Sequence, residues 1–145
     1  VKSRHIYLAS SWRNLHHAAV FNALTRAGHV VYNFKEPHPG EFGFHWTDVD
    51  GRYLKWTADE FVKALEHPAC EKGFTNDSQA MIESDTCVLL LPSGRSAHLE
   101  AGVMAGEGKD LHILIPEHDA FEPELMYKFA DQIHTSIEAL IGALA

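Results

Sequence analysis

At 145 residues the chain suits one compact domain and is short for two with separate cores. Hydrophobic residues make up 46% and charged residues 22%, a globular composition that argues against disorder, a collagen-like repeat or low complexity. Twelve Lys and Arg against 20 Asp and Glu give a net charge of −8, which disfavours non-specific nucleic-acid binding but leaves room for a small anion held by one or two local arginines.

Arg4 to Ala9 reads as a first strand, ended by Ser10-Ser11. Trp12 to Ala27 has helical periodicity, with Gly28 as its C-terminal cap. His29 to Phe34 is a second strand, and residues 35–56 form a long aromatic connection rich in Gly and Asp. Trp46 and Trp56 within it suit either stacking on a base or covering the core, with cover slightly favoured. Thr57 with Glu60 makes a capping box for a helix running to His67, and a further helix covers about Thr75 to Ser84. Thr86 to Leu91 is an unbroken apolar strand, the signature of burial on both faces. A turn at Pro92 to Arg95 leads into a helix from Ser96 to Gly106, then a strand at Leu111 to Ile115. Pro123 to Ala130 reads as helix, Gln132 to His134 as a short strand, and Ser136 to Leu144 as a closing helix.

Strands that alternate with helices, two of them doubly buried, predict a single α/β domain with a parallel sheet and helices on both faces. Ligands of such sheets bind beyond the C-terminal strand ends, which singles out Ser10 to Asn14, Pro92 to Ser96 and Pro116 to Pro123. The longest apolar run is the five residues Cys87 to Leu91, far short of a membrane span, so no membrane association is expected. The opening residues lack the apolar core of a signal peptide, and Cys87 reads as a buried thiol, which makes the cytoplasm the expected location.

Leu89 to Gly102 is the densest cluster of chemistry-bearing residues. Read as lying in the first helical turn, Glu100 faces the helix's positive end and stays ionised, suited to attack on an electrophilic sugar carbon. The plain alternative is a carboxylate that only complements the helix dipole. Tyr7 points from the first strand near its C-terminal end, either into the site or into packing with the first helix. Ser10, Ser11 and Arg13 offer hydroxyls, N–H groups and a guanidinium for an anion, or a surface arginine beside a cap. Asp77 suits a first-turn helix acid. GxGxxG and GxxxxGK[ST] are absent, and His98-Leu99-Glu100 lacks the PCxxC that a zinc deaminase needs, so no metal site and no cofactor are expected.

Ile6-Tyr7-Leu8-Ala9-Ser10-Ser11, Asp77 eight residues before Asp85, and Leu91-Pro92-Ser93-Gly94-Arg95-Ser96-Ala97-His98-Leu99-Glu100-Ala101-Gly102 together resemble the nucleoside 2-deoxyribosyltransferase family, including its nucleotide N-glycosidase branch. Gly108-Lys109 leading into Leu111 to Ile115 fits the same pattern. The resemblance implies a flavodoxin-like, Rossmann-like sheet and cleavage or transfer at the N-glycosidic bond of a nucleoside or nucleoside monophosphate. It casts Glu100 as the nucleophile that forms a glycosyl-enzyme, Asp77 as the residue that handles protons at the base or holds the sugar, and Tyr7 as the orienter of Glu100. Ser10, Ser11, Arg13, Ser93, Gly94, Arg95 and Ser96 would bind substrate. The family's neighbour-reaching segment matches Pro116 to Met126, which implies a homodimer or higher even-numbered oligomer with Glu124 or Met126 near the partner's Glu100. Two departures stand out: Glu124 replaces an Asn of the transferases, and Gly94 replaces an Asp six residues before the nucleophile. Both point away from base exchange on deoxyribose, while Ser11, Arg13, Ser93 and Arg95 lean toward a phosphorylated substrate. The rival reading is a non-catalytic nucleotide-sensing module on the same fold.

Overall fold

A computed structural model describes residues 2–145. Five parallel strands form one sheet in the order β2-β1-β3-β4-β5. They are β1 (His5–Ala9), β2 (Val30–Tyr32), β3 (Thr86–Leu90), β4 (Asp110–Leu114) and β5 (Gln132–His134). The helices are α1 (His17–Arg26), α2 (Ala58–Ala64), α3 (Pro68–Glu83), α4 (Arg95–Gly106) and α5 (Ile137–Leu144). The strand order and connectivity are those of the flavodoxin-like α/β fold. Among the described residues no helix is long and apolar enough to cross a membrane.

The polypeptide forms two compact units, one running to Asn33 and resuming at Met81, the other spanning Phe34–Ala80. In the sheet unit, side-chain alternation sends Ile6, Leu8, Val88, Leu90 and Leu114 to one face, where they pack with Val20 and Leu24 of α1 and Leu140 and Leu144 of α5. On the other face α4 packs against β1, β3 and β4, burying Ala97, Ala101 and Met104. All five residues of β3 are buried, as its apolar run predicts. In the second unit Trp46 lies edge-on to Phe44, Trp56 and Phe61, with centroids 4.8, 5.7 and 5.8 Å away, so both tryptophans belong to one partly exposed aromatic cluster.

Several boundaries differ from the sequence reading. α1 starts at His17 rather than Trp12, because the Asn14 side chain accepts from the His16 N–H at 2.8 Å and holds the preceding residues in a turn. α3 starts at Pro68 rather than Thr75; proline at a first helical position costs no hydrogen bond. Pro123 to Ala130 contains only a short 3-10 helix, Leu125–Phe129, which has no buried face to support a longer α-helix. α4 begins at Arg95 with Gly94 as its N-cap, which makes Glu100 its sixth residue. Glu100 is therefore in the second turn, beyond the unsatisfied N–H groups of the first, and the helix-terminus argument for its charge does not hold.

Two buried histidines give the sheet unit a pH dependence. His112 on β4 and His134 on β5 stack at a centroid distance of 5.3 Å, with Nδ1 of one 3.0 Å from Nε2 of the other. One nitrogen donates and the other accepts, so the pair is satisfied when neutral. Burial pushes both pKa values below the usual histidine value; for His112 the His134 ring and Arg4 add to this, against the carboxylates of Asp110 and Asp131. Above pH 6.5 both rings are neutral folded or unfolded, and stability is full. As pH falls from 6.5 toward the lowered folded values, the unfolded chain takes up protons that the native pair refuses. Urea midpoints are therefore expected to drop between pH 7.5 and 5, and His134→Gln is expected to flatten the drop. A midpoint constant or rising over that range, with wild type, contradicts the assignment.

Candidate active site

The C-terminal ends of β1 and β3 each release a short loop, Ser10 to His16 and Leu91 to Gly94. Asn14 joins the two. Its side chain is buried, and Nδ2 donates to the carbonyls of Leu90 at 3.3 Å and Pro92 at 3.0 Å, on either side of the cis Leu91–Pro92 bond. The same loop is tightened by the Asn14 N–H, which donates to the Ser11 carbonyl at 3.1 Å.

In the same unit Tyr7 and Glu100 meet. Tyr7 lies in the fully buried stretch of β1, and its ring stacks on Tyr32 of β2 at 5.3 Å and 19°. Its hydroxyl donates to Glu100 Oε2. The ring is buried against Tyr32 of β2 rather than against α1, and the hydroxyl is bonded to the Glu100 carboxylate. Glu100 is half-buried on α4. Its field is felt beneath it, since the buried thiol of Cys87 on β3 has its pKa pushed up first by burial and then by the Glu100 carboxylate. The arrangement is a carboxylate on α4 held by the hydroxyl of a buried β1 tyrosine.

The other residues named from the sequence are placed as follows. The Ser93 hydroxyl donates to the Leu90 carbonyl and so braces its own turn. Gly94 is extended backbone, and a Cβ there would meet nothing within 4 Å, so the position is open. Arg13, Arg95 and Ser96 are exposed, and Ser10 and Ser11 are half-buried. Asp77 is half-buried on α3 and belongs to the second unit. Glu124 and Met126 are exposed, at the start of the 3-10 helix and within it.

His98 carries a role that the sequence did not disclose. Its Nδ1 lies 2.8 Å from the Gly94 carbonyl and so donates, which leaves Nε2 to accept from the Tyr127 hydroxyl at 2.9 Å. Burial, then Glu124 and Glu122, raise the Tyr127 pKa, so the phenol remains the donor. This bond ties the 3-10 helix to α4 two residues before Glu100. Among the described residues no group of three or more His, Cys, Asp or Glu is arranged to hold a metal ion.

A cavity of about 220 Å³ lies elsewhere in the sheet unit, lined by residues that include His16, Leu114, Glu117, Ser136 and Glu138. Neither Tyr7 nor Glu100 lines it, and its two carboxylates make it a poor host for an anion.

No protein-family model matches the sequence, and no curated protein matches it. Solved structures do. A 2-deoxyribosyltransferase from Bacillus psychrosaccharolyticus superposes with a TM-score of 0.63 at 17% identity, covering 94% of this chain and 89% of its own. A conserved protein from Enterococcus faecalis V583 gives 0.60 at 14% identity, with 97% and 96% covered. A CMP N-glycosidase from Clostridium botulinum gives 0.53 at 13%, with 96% of each chain covered. The similarity spans nearly the whole chain and establishes the shared fold.

Proposed function

We propose that the protein cleaves or transfers at the N-glycosidic bond of a nucleoside or nucleoside monophosphate, with Glu100 as nucleophile. The observation that carries this reading is the Tyr7 hydroxyl bonded to the Glu100 carboxylate. It is supported by the fold shared with a 2-deoxyribosyltransferase and a CMP N-glycosidase. In the first step a Glu100 oxygen attacks the anomeric carbon, the C–N bond breaks, and the base leaves with the bonding pair and takes up a proton. Asp77 is the proposed handler of that proton. In the second step water or another base displaces Glu100 and releases the sugar. Tyr7 positions the carboxylate throughout.

The test is incubation with a panel of nucleosides and their 5′-monophosphates, with free base followed by chromatography. Base release that needs Glu100 supports the reading; binding without release by wild type replaces it with a sensing module. Adding a second free base separates transfer from hydrolysis.

Arg13 and Arg95, with Ser11 near Arg13 in sequence, are proposed to favour a 5′-phosphate; the Ser93 hydroxyl, which donates to the Leu90 carbonyl, is left out of that role. A monophosphate is then expected to bind more tightly than its nucleoside, with a gap that narrows in salt and in Arg13→Ala or Arg95→Ala. Equal binding of the two forms rejects this role.

Assembly is proposed to be a homodimer or a higher even-numbered oligomer. Phe121, Leu125, Met126 and Phe129, with Leu99 and Val103 of α4, leave more apolar side chain exposed than solvent-facing segments ordinarily carry. Glu124 or Met126 would then lie near the partner's site. Light scattering is expected to report an even-numbered assembly at micromolar concentration, with Leu125→Glu dissociating it; a wild-type monomer contradicts the proposal.

A further inference from the structure

Parallel neighbouring strands need a crossover, and a helix usually supplies it. Between β4 and β5 the crossover holds only the 3-10 helix, and no residue from 115 to 133 is buried. The segment is clamped at both ends. The Glu117 N–H donates to the Thr135 carbonyl at 3.2 Å, and the Asp131 N–H donates to the Leu111 carbonyl at 2.8 Å. Between the clamps the backbone bonds stay local: Asp119 to Pro116, Tyr127 to Glu124 and Ala130 to Tyr127. Among the described residues, two side-chain hydrogen bonds tie residues 118–130 to the rest of the protein, and a histidine makes each. His16 Nε2 lies 2.7 Å from Asp119 Oδ2; a carboxylate accepts, so the histidine donates whether its ring is neutral or charged. His98 Nε2 accepts from the Tyr127 hydroxyl at 2.9 Å, and the two rings stack at 5.7 Å. Asp119 and Tyr127 are half-buried, while the residues on either side of each are exposed.

The two bonds stand on opposite faces of the sheet. His16 is the N-cap of α1, which packs on one face, and His98 is the fourth residue of α4, which packs on the other. Both helices begin just after a strand ends, so residues 119–127 cross from face to face at the C-terminal end of the sheet, where ligands of this fold bind. His118, beside the first clamp, has φ 70°, a left-handed conformation unfavourable for a residue with a Cβ. We propose that residues 118–130 form a lid at this end of the sheet, held shut by His16–Asp119 and His98–Tyr127, which opens between its clamps while the sheet stays folded. No buried side chain opposes the opening, so the two histidine bonds set the open fraction, and the strain at His118 favours release. The inference rests on these contacts and is independent of the N-glycosidic reading.

Trypsin reads the open fraction. Its cleft admits only an extended stretch of chain free on both sides of the bond, and cleavage of a rapidly reclosing segment tracks the open population. Glu124→Lys adds a cleavage site between the two latches, at an exposed side chain that makes no cap bond. In that background His98→Phe keeps a ring to stack on Tyr127 and loses the acceptor, while Asp119→Ala removes the other latch. At equal protein concentration each is expected to raise the initial rate of cleavage at position 124 about fivefold, the worth of one net hydrogen bond, and the pair about 25-fold, because both latches must release. Asp119→Asn keeps an acceptor and should give the smaller rise. Cleavage after Lys109, just before β4, should stay absent throughout. Where His98→Phe lowers the urea midpoint, Tyr127→Phe in its place decides, since it removes the same bond and leaves α4 intact. Rates unchanged by either latch variant overturn the proposal, as does a double variant no faster than the faster single one. Cleavage after Lys109 that rises in step reports global unfolding and overturns it too.

Discussion

Glu100→Gln is expected to keep the fold and lose base release by at least about a thousandfold, because an amide cannot attack the anomeric carbon. The variant is nearly isosteric, and its side-chain carbonyl still accepts from the Tyr7 hydroxyl, so the contact made by Glu100 Oε2 survives. Its circular dichroism and urea midpoint should therefore match wild type, which separates chemistry from folding. Tyr7→Phe is the companion variant. It keeps the ring stacked on Tyr32 and removes only the hydroxyl that sets the rotation of the carboxylate. Its expected cost is roughly 10- to 100-fold in kcat with KM little changed, the pattern of a group that acts on the transition state through another. Single-turnover assays on a substrate identified in the panel decide both. Equal rates for wild type and Glu100→Gln would end the nucleophile role.

The parts of this site visible in the sequence are those signalled by local pattern. β3 is evident because five successive buried residues leave no polar interruption, and Glu100 follows from its distance past that strand. Helix starts were less accessible. At α1 the competing turn depends on where one Asn side chain points, which no periodicity records. At α4 Glu100 is the sixth residue from the start at Arg95, and a start at Ser96 would still place it fifth, past the first turn. The supporting polar residues were least accessible of all. His98 meets Tyr127, 29 positions away, and His17 meets Asn33, 16 positions away, so neither pair leaves a short-range signature. Composition shows that histidines are abundant; only the folded chain shows which of them are buried and what each accepts or donates.

Asn14→Ala carries the largest expected stability effect among the polar residues of the sheet unit. The side chain makes three hydrogen bonds: Nδ2 to the Leu90 and Pro92 carbonyls, and Oδ1 from the His16 N–H. At about 1 kcal/mol for each bond, with an added penalty for polar groups left unsatisfied at a buried position, the expected loss is at least about 3 kcal/mol. Asn14→Asp distinguishes the donors from mere volume. It matches the shape and keeps the acceptor for His16, but it turns an oxygen toward two carbonyl oxygens, so it should destabilise at least as much as alanine. Urea denaturation at pH 7.5, where the His112–His134 pair is neutral and causes no proton-linked loss, measures both. Because Asn14 joins the loops after β1 and β3, the loss should also reach function. The variants should lose kcat/KM on any true substrate even at temperatures where they remain folded, since the loop that carries Ser10 is no longer tied to the one that leads into α4 and Glu100. An Asn14→Ala protein within about 0.5 kcal/mol of wild type, the range of ordinary surface substitutions, would show that the two loops are held by something else.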